Sequence, residues 1–124
     1  MKTISKILLV EDELLIANVL KIILVKKNFE VKHVTSEEEA VQAATEIQPD
    51  LIILDIQLKN KGNGIQAAIK IRNNGIVCPI AFTTGNSYED TKKQIEEIKQ
   101  SHLFIKPVDI DQIIGYINIY YNHL

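Results

Sequence analysis

Five polar side chains in this 124-residue chain come at the ends of short apolar runs. Glu11 and Asp12 follow "KILLV", Asp55 follows "LIIL", Thr84 closes "PIAFTT" and Lys106 closes "LFIK". A carboxylate behind a run as apolar as Leu51–Leu54 is costly to bury without a partner. Three such carboxylates brought together repel, so they must take up protons or share a cation. A hard divalent ion suits oxygen ligands, and Mg²⁺ commonly takes one or two carboxylates, keeps several waters and leaves room for a phosphoryl oxygen. Asp55 would then be a ligand and also a nucleophile, because a carboxylate can accept a phosphoryl group as an acyl phosphate. Lys106 and the metal would offset charge on the group in transfer, with Thr84 donating a hydrogen bond.

That chemistry requires the five residues to share one edge, which depends on the elements that carry them. The runs "KILLV", "FEVKHV", "LIILD", "PIAFT" and "LFIKP" are of strand length, and most are rich in Ile, Leu, Val or Phe. Helix-like segments lie between them. "DELLIANVLKIILVKKN" carries apolar positions at Leu15, Val19, Ile22 and Ile23. "SEEEAVQAATEIQ" opens with a Ser cap and a glutamate-rich first turn, and Pro49 stops it. "GIQAAIKIRNNG" is bounded by glycines, "YEDTKKQIEEIKQ" is anchored by Ile95 and Ile98, and "DIDQIIGYINIYYNHL" starts at Asp109 as N-cap. Five strand–helix repeats predict a doubly wound α/β fold, a (βα)5 three-layer sandwich with a parallel five-stranded sheet. The unbroken "LLV" and "LIIL" fit central strands and the alternating "FEVKHV" an edge, which gives the order 2-1-3-4-5. Ligands bind such sheets beyond the carboxyl ends of the strands, at the switch point between strands 1 and 3. All five polar residues fall there.

Each residue also has a plainer reading when taken alone. Asp12 can cap the first helix, Glu11 can be a rim acid, Asp55 can cap a loop, Thr84 is an ordinary strand-end threonine and Lys106 an ordinary surface lysine. Their coincidence on one edge carries the argument. The bulk composition fits one domain over residues 1–124: 46% hydrophobic, 24% charged, net charge −2. No basic excess points to nucleic acid. No apolar run reaches the ~20 residues that span a bilayer, and "MKTISK" does not open a signal peptide, so a cytoplasmic location is expected. Cys78 is the only cysteine and reads as a small core or rim residue. His33, His102 and His123 are not clustered with other ligand types and read as structural or surface residues.

With these motifs in order, the chain resembles the receiver domain of two-component response regulators. "ILLVEDELL" is similar to the family's first strand with its acidic pair, "PDLIILDIQL" to its phosphoacceptor strand, "PIAFTTG" to strand 4 and "LFIKP" to strand 5. The resemblance covers nearly the whole chain. It implies a flavodoxin-like (CheY-like) fold and a single receiver domain over residues 1–124; no helix-turn-helix pattern follows helix 5, so the expectation is a single-domain regulator or a receiver belonging to a larger protein, with no output domain in this chain. It implies that Asp55 accepts a phosphoryl group from a sensor histidine kinase or phosphotransfer protein. Mg²⁺ would be held by Glu11, Asp12, Asp55 and the backbone carbonyl of Gln57, with Thr84 and Lys106 meeting the phosphoryl group. Catalysis would extend at most to self-catalysed transfer to, and hydrolysis from, Asp55. Many family members continue from the lysine into proline through a cis bond, here Lys106–Pro107.

Two departures stand out. Many receivers carry an aromatic residue or His three positions before the lysine; this chain has Leu103 there. Phe104 should point to the other face of the strand. The segment "IQLKNKGNG" lacks the proline often found after the acceptor and runs one residue longer before Gly64. Leu103 therefore raises the alternative of a protein-binding module that does not switch. An aspartate-nucleophile phosphatase wants a second Asp where Gln57 stands. A flavin-binding relative wants a phosphate loop where "EDELL" stands. In the last helix Ile113, Ile114 and Ile117, completed by Tyr121 or Leu124, fit a core stripe. Tyr116, Ile119 and Tyr120 fall outside it and suggest a dimer or effector contact through helix 4, strand 5 and helix 5.

Overall fold

The computed structural model describes residues 4–85 and 89–122. In chain order the elements are β1 (Lys6–Val10), α1 (Leu14–Lys26), β2 (Glu30–Val34), α2 (Glu37–Ile47), β3 (Leu51–Asp55), α3 (Gly64–Asn73), β4 (Ile80–Thr84), α4 (Glu89–Glu96), β5 (Ser101–Ile105) and α5 (Ile110–Asn122). All strand pairs are parallel and the sheet order is β2-β1-β3-β4-β5, as the unbroken and alternating apolar runs predict. β3 and β4 are buried along their whole length, whereas β2 and β5 alternate toward partial exposure at the edges. Helices cover both faces. One apolar layer packs Leu8, Ile52, Leu54 and Phe82 against α2, α3 and Ile95 of α4. The other packs Ile7, Leu9, Ile53 and Ala81 against α1 and α5.

Local signals account for the element ends. Ser36 Oγ accepts the Glu39 N–H at 3.1 Å, while the Glu39 carboxylate accepts the Thr35 N–H, a reciprocal cap that starts α2. Asn63 Oδ1 accepts the N–H groups of Ile65 and Gln66 and starts α3. Asp109 precedes α5, and its carboxylate accepts the Asp111 N–H at 2.9 Å. Asp12 does not cap α1: the residue before that helix is Glu13, which makes no side-chain cap bond.

Other details differ from expectation. The buried residues of α1 are Ala17, Leu20 and Leu24, while Leu15, Val19 and Ile22 are 83%, 57% and 56% exposed. α1 is apolar nearly all round, so periodicity alone admits more than one inward stripe. The structure settles on the side where small Ala17 meets the sheet. Ile98 is buried as expected but lies past the end of α4. In α5, Ile110, Ile113, Ile117 and Tyr121 are buried, Ile114 is partly covered, and Leu124 and His123 lie outside the described residues. Tyr116 is half-buried and stacks on the His102 ring, which leaves Ile119 as the most exposed apolar side chain of the helix. Cys78 is partly buried at the rim of the core. No described helix is long and apolar enough to cross a membrane.

Candidate metal and phosphoacceptor site

The register brings the polar strand ends together. Val10 pairs with Leu54, Asp55 with Thr83, and Thr84 with Ile105. The residues just beyond β1, β3 and β5 therefore share one crevice. A carboxylate oxygen from each of Glu11, Asp12 and Asp55 lies within 4.8 Å of the others. Glu11 and Asp55 are almost completely buried. Lys106 Nζ bridges them, 2.9 Å from Glu11 Oε1 and 3.2 Å from Asp55 Oδ2. The Lys106 N–H also donates to the Thr84 carbonyl at 2.7 Å, which ties the ends of β4 and β5 together. The Lys106–Pro107 peptide is cis.

Electrostatics follow from this crowding. Burial, reinforced by the facing Glu11 charge, pushes Asp55 up to about 7 against the opposing pull of Lys106. Burial works in the same sense on Glu11 but is overcome by hydrogen bonds from Lys106, the Glu13 N–H and Asp55, so Glu11 lies below its ordinary value. Lys106 is desolvated too, yet its two carboxylate partners hold it above the usual lysine value. Burial and the facing charge thus favour the protonated form of Asp55, while Lys106 and the peptide N–H favour the ionised form of Glu11.

The donor set fits a small hard cation. Asp12 Oδ1 is the one buried side-chain polar atom without a hydrogen-bond partner among the described residues. A buried oxygen left in that state wants a ligand. Gln57 donates its N–H to Asp55 Oδ1 at 3.3 Å, which turns its peptide into the same crevice. Its side chain is exposed, so a carbonyl contribution from this residue does not depend on side-chain type. Thr84 is buried at the end of β4, one residue beyond the Thr83 that pairs with Asp55. All the residues read from the sequence thus lie on this edge.

Sequence reasoning missed two supports. His33 Nε2 lies 2.8 Å from the Glu11 carbonyl, so the imidazole at the end of β2 braces the acidic turn without touching the carboxylates. Gly64 sits against β3 so closely that a Cβ there would overlap the Asp55 carbonyl oxygen. Its N–H donates to the Ile56 carbonyl at 2.8 Å. The glycine signal was visible in "GNG", but its purpose required the fold.

Leu103 and Phe104 point to opposite faces, as strand alternation requires. Leu103 packs on the α2–α3–α4 layer and Phe104 on the α1–α5 layer, where it meets the rings of His102 and Tyr116 edge-on. Phe104 therefore does not take the place of Leu103.

Comparisons with known proteins agree with this geometry. The profile of the response regulator receiver domain matches residues 7–118. The aerobic respiration control protein ArcA of Escherichia coli K12 is 36% identical over 101 residues, covering 82% of this chain and 42% of ArcA. The alkaline phosphatase synthesis transcriptional regulatory protein PhoP of Bacillus subtilis strain 168 is 32% identical over 103 residues, covering 83% of this chain and 42% of PhoP. The chain spans about half the length of the curated relatives it matches. A CheY-like receiver domain from Methanospirillum hungatei JF-1 superposes with a TM-score of 0.86 at 19% identity, covering 98% of this chain and 96% of that one, which speaks to the fold. The family profile over most of the chain, together with the buried acids gathered at the ends of a 2-1-3-4-5 sheet, makes this protein a member of the response regulator receiver domain family of two-component signalling.

Proposed function

We propose that Asp55 is the phosphoacceptor of this receiver and that Glu11, Asp12, Asp55 and the Gln57 carbonyl hold Mg²⁺ beside it. The observation that carries the reading is the unpartnered buried Asp12 Oδ1 within reach of Glu11 and Asp55. When bound, Mg²⁺ supplies positive charge for the phosphoryl oxygens and favours the ionised form of Asp55. The ionised Asp55 oxygen attacks the phosphorus of a phosphohistidine, forming an acyl phosphate as the P–N bond breaks. The imidazole leaves with the electron pair and takes up a proton. Lys106, already held at the mouth of the crevice, pairs with a phosphoryl oxygen, and Thr84 donates its hydroxyl to another.

The donor is a sensor histidine kinase or phosphotransfer protein. Its docking face on this chain is α1, where Leu15, Val19, Ile22 and Val25 form an exposed stripe at helical spacing. That stripe borders a groove of about 580 Å³ lined by Ile16, Leu20 and Pro107 and reaching Glu11 and Lys106. An apolar helical surface continuous with the acceptor crevice suits a helical donor that must bring a histidine to Asp55. Acetyl phosphate with Mg²⁺ should label the wild type and not Asp55→Asn. Equal labelling of both would remove Asp55 from the role. Leu15→Asp should label normally with acetyl phosphate but accept phosphate from the donor protein at least ~10-fold more slowly, on the order of 1.4 kcal/mol of docking energy.

A second reading is favoured by Leu103: a binding module that does not switch. In that case the labelled protein would keep the amide exchange pattern of the unlabelled one throughout β4, β5 and α5. A switch changes it.

A further inference from the structure

The sequence "SEEEA" puts Glu37, Glu38 and Glu39 in the first turn of α2, where acids complement the helix dipole. Their side chains do different things. Glu38 is exposed and Glu39 folds back on the cap. Glu37 instead reaches across to the loop between β3 and α3. Its Oε1 accepts the Asn63 N–H at 2.9 Å, and its Oε2 pairs with Lys70 of α3. Gly62, with φ of +110°, lies against the same side chain so closely that a Cβ would overlap the Glu37 Cβ.

The residue Glu37 grips is not an arbitrary point of the loop. After a 3-10 turn at Lys59–Lys61, the chain returns so that Asn63 pairs antiparallel with Gln57. The bond of that pairing runs from the Gly64 N–H to the Ile56 carbonyl. Residues directly opposite each other in such a pair do not bond to one another, so their own N–H and C=O groups face outward on either side. On one side the Asn63 N–H is taken by Glu37. On the other, the Gln57 peptide faces the crevice, where its N–H meets Asp55.

We propose that Glu37 is a positioning residue for the metal site. By fixing Asn63 it fixes the strand segment against which Gln57 is laid, and with it the backbone carbonyl offered to the cation. The inference rests on the reading of Glu11, Asp12, Asp55 and Gln57 as the Mg²⁺ site. Lys70 and the Asn63 N–H hold the Glu37 carboxyl below its usual range, favouring the charged form that makes both contacts.

Mg²⁺ binding to the unphosphorylated protein, measured by titration calorimetry, tests this alongside amide exchange over residues 57–64. Groups beyond the ligands that orient them typically change metal affinity ~10–100-fold. Glu37 acts one step further out, so Glu37→Ala should weaken Mg²⁺ binding ~3–10-fold and speed exchange in the loop. Glu37→Gln keeps an acceptor for the Asn63 N–H and should recover most of the affinity, and Lys70→Ala should cost less than Glu37→Ala. Asp12→Asn, which removes a ligand, should bind weakest of all. Wild-type affinity in Glu37→Ala would overturn the inference while leaving the site reading intact. Equal losses in Glu37→Ala and Glu37→Gln with a lowered melting temperature would also overturn it, leaving Glu37 a stability residue only. A wild type that binds no Mg²⁺ would overturn both.

Discussion

Two acids flank β3, and both are nearly out of water: Asp50 is 7% exposed and Asp55 3%. Asp50 is surrounded by donors. Its Oδ2 accepts the N–H groups of Ser5 and Lys6, each at 2.9 Å, and the Ser5 hydroxyl at 3.1 Å. Its own N–H donates to the Lys6 carbonyl, and its carbonyl accepts the Tyr121 hydroxyl at 2.6 Å. Asp55 has one stretched peptide N–H and a lysine it must share with a second acid. One end of the strand thus buries a carboxylate held by two peptide N–H groups and a hydroxyl. The other buries a carboxylate whose needs are met in part. The first arrangement stitches β1 to β3. The second suits the role proposed for Asp55, which is to meet a cation and a phosphoryl group.

If that contrast is right, damage at the two ends should read out differently. Asp50→Ala leaves two peptide N–H groups and a hydroxyl without their acceptor. Because Ser5 and Lys6 lie at the protein surface, water can replace part of what is lost, and the expected cost is ~2–3 kcal/mol of unfolding free energy in urea. Labelling by acetyl phosphate at a temperature where the variant is folded should match wild type. Loss of labelling in the folded variant would mean that the two ends of β3 are not separable.

At the other end, charge should be a burden in the absence of metal. Asp55 titrates near 7 in the folded protein against 3.8 for an ordinary Asp. Between those values the folded state holds a proton that the unfolded chain has released. Stability therefore falls as pH rises through that window and is fullest below it. Asp55→Asn removes the titration. The metal-free variant should be more stable than wild type at pH 8, by ~2 kcal/mol once Lys106 is allowed to turn toward the ionised Asp55. The gap should close as pH falls toward the ordinary Asp range. Saturating Mg²⁺ should narrow it at pH 8, because an ion that binds only the folded wild type stabilises it. A variant less stable than wild type at pH 8 without metal would show that Asp55 is as well satisfied as Asp50.

The same two ends show what could be read in advance. Asp55 was legible because an acid after a fully apolar run has few explanations, and its partners close other apolar runs whose order follows from which runs are unbroken and which alternate. Asp50 was visible only as part of a motif, since its donors are backbone N–H groups and carry no residue signature. Glu37 was hidden for a related reason: three glutamates in a row read as one helix start, and the one that matters acts on a peptide N–H far along the chain. The buried side of α1 was ambiguous because nearly every side is apolar, and the fold chose Ala17, Leu20 and Leu24 over the larger stripe now exposed. Strand alternation, by contrast, separates Leu103 from Phe104 from the sequence alone.

The smallest effect tests the comparison most narrowly. Tyr121 is 8% exposed, and its hydroxyl is the hydrogen-bond donor that α5 supplies to Asp50. Burial, with Asp50 nearby, holds the phenol well above its ordinary value, so it is a donor at any working pH. Tyr121→Phe keeps the ring in the α1–α5 layer and removes the hydroxyl bonded to the Asp50 carbonyl, at an expected cost of ~1 kcal/mol in urea unfolding. Because the bond goes to the Asp50 carbonyl and not to its carboxylate, the donors from Ser5 and Lys6 remain in place. The loss should add to that of Asp50→Ala within a few tenths of a kcal/mol. Marked non-additivity would mean that the Tyr121 bond helps to aim the Asp50 carboxylate at β1, and that the satisfied end of β3 is held by one coupled network and not by independent bonds.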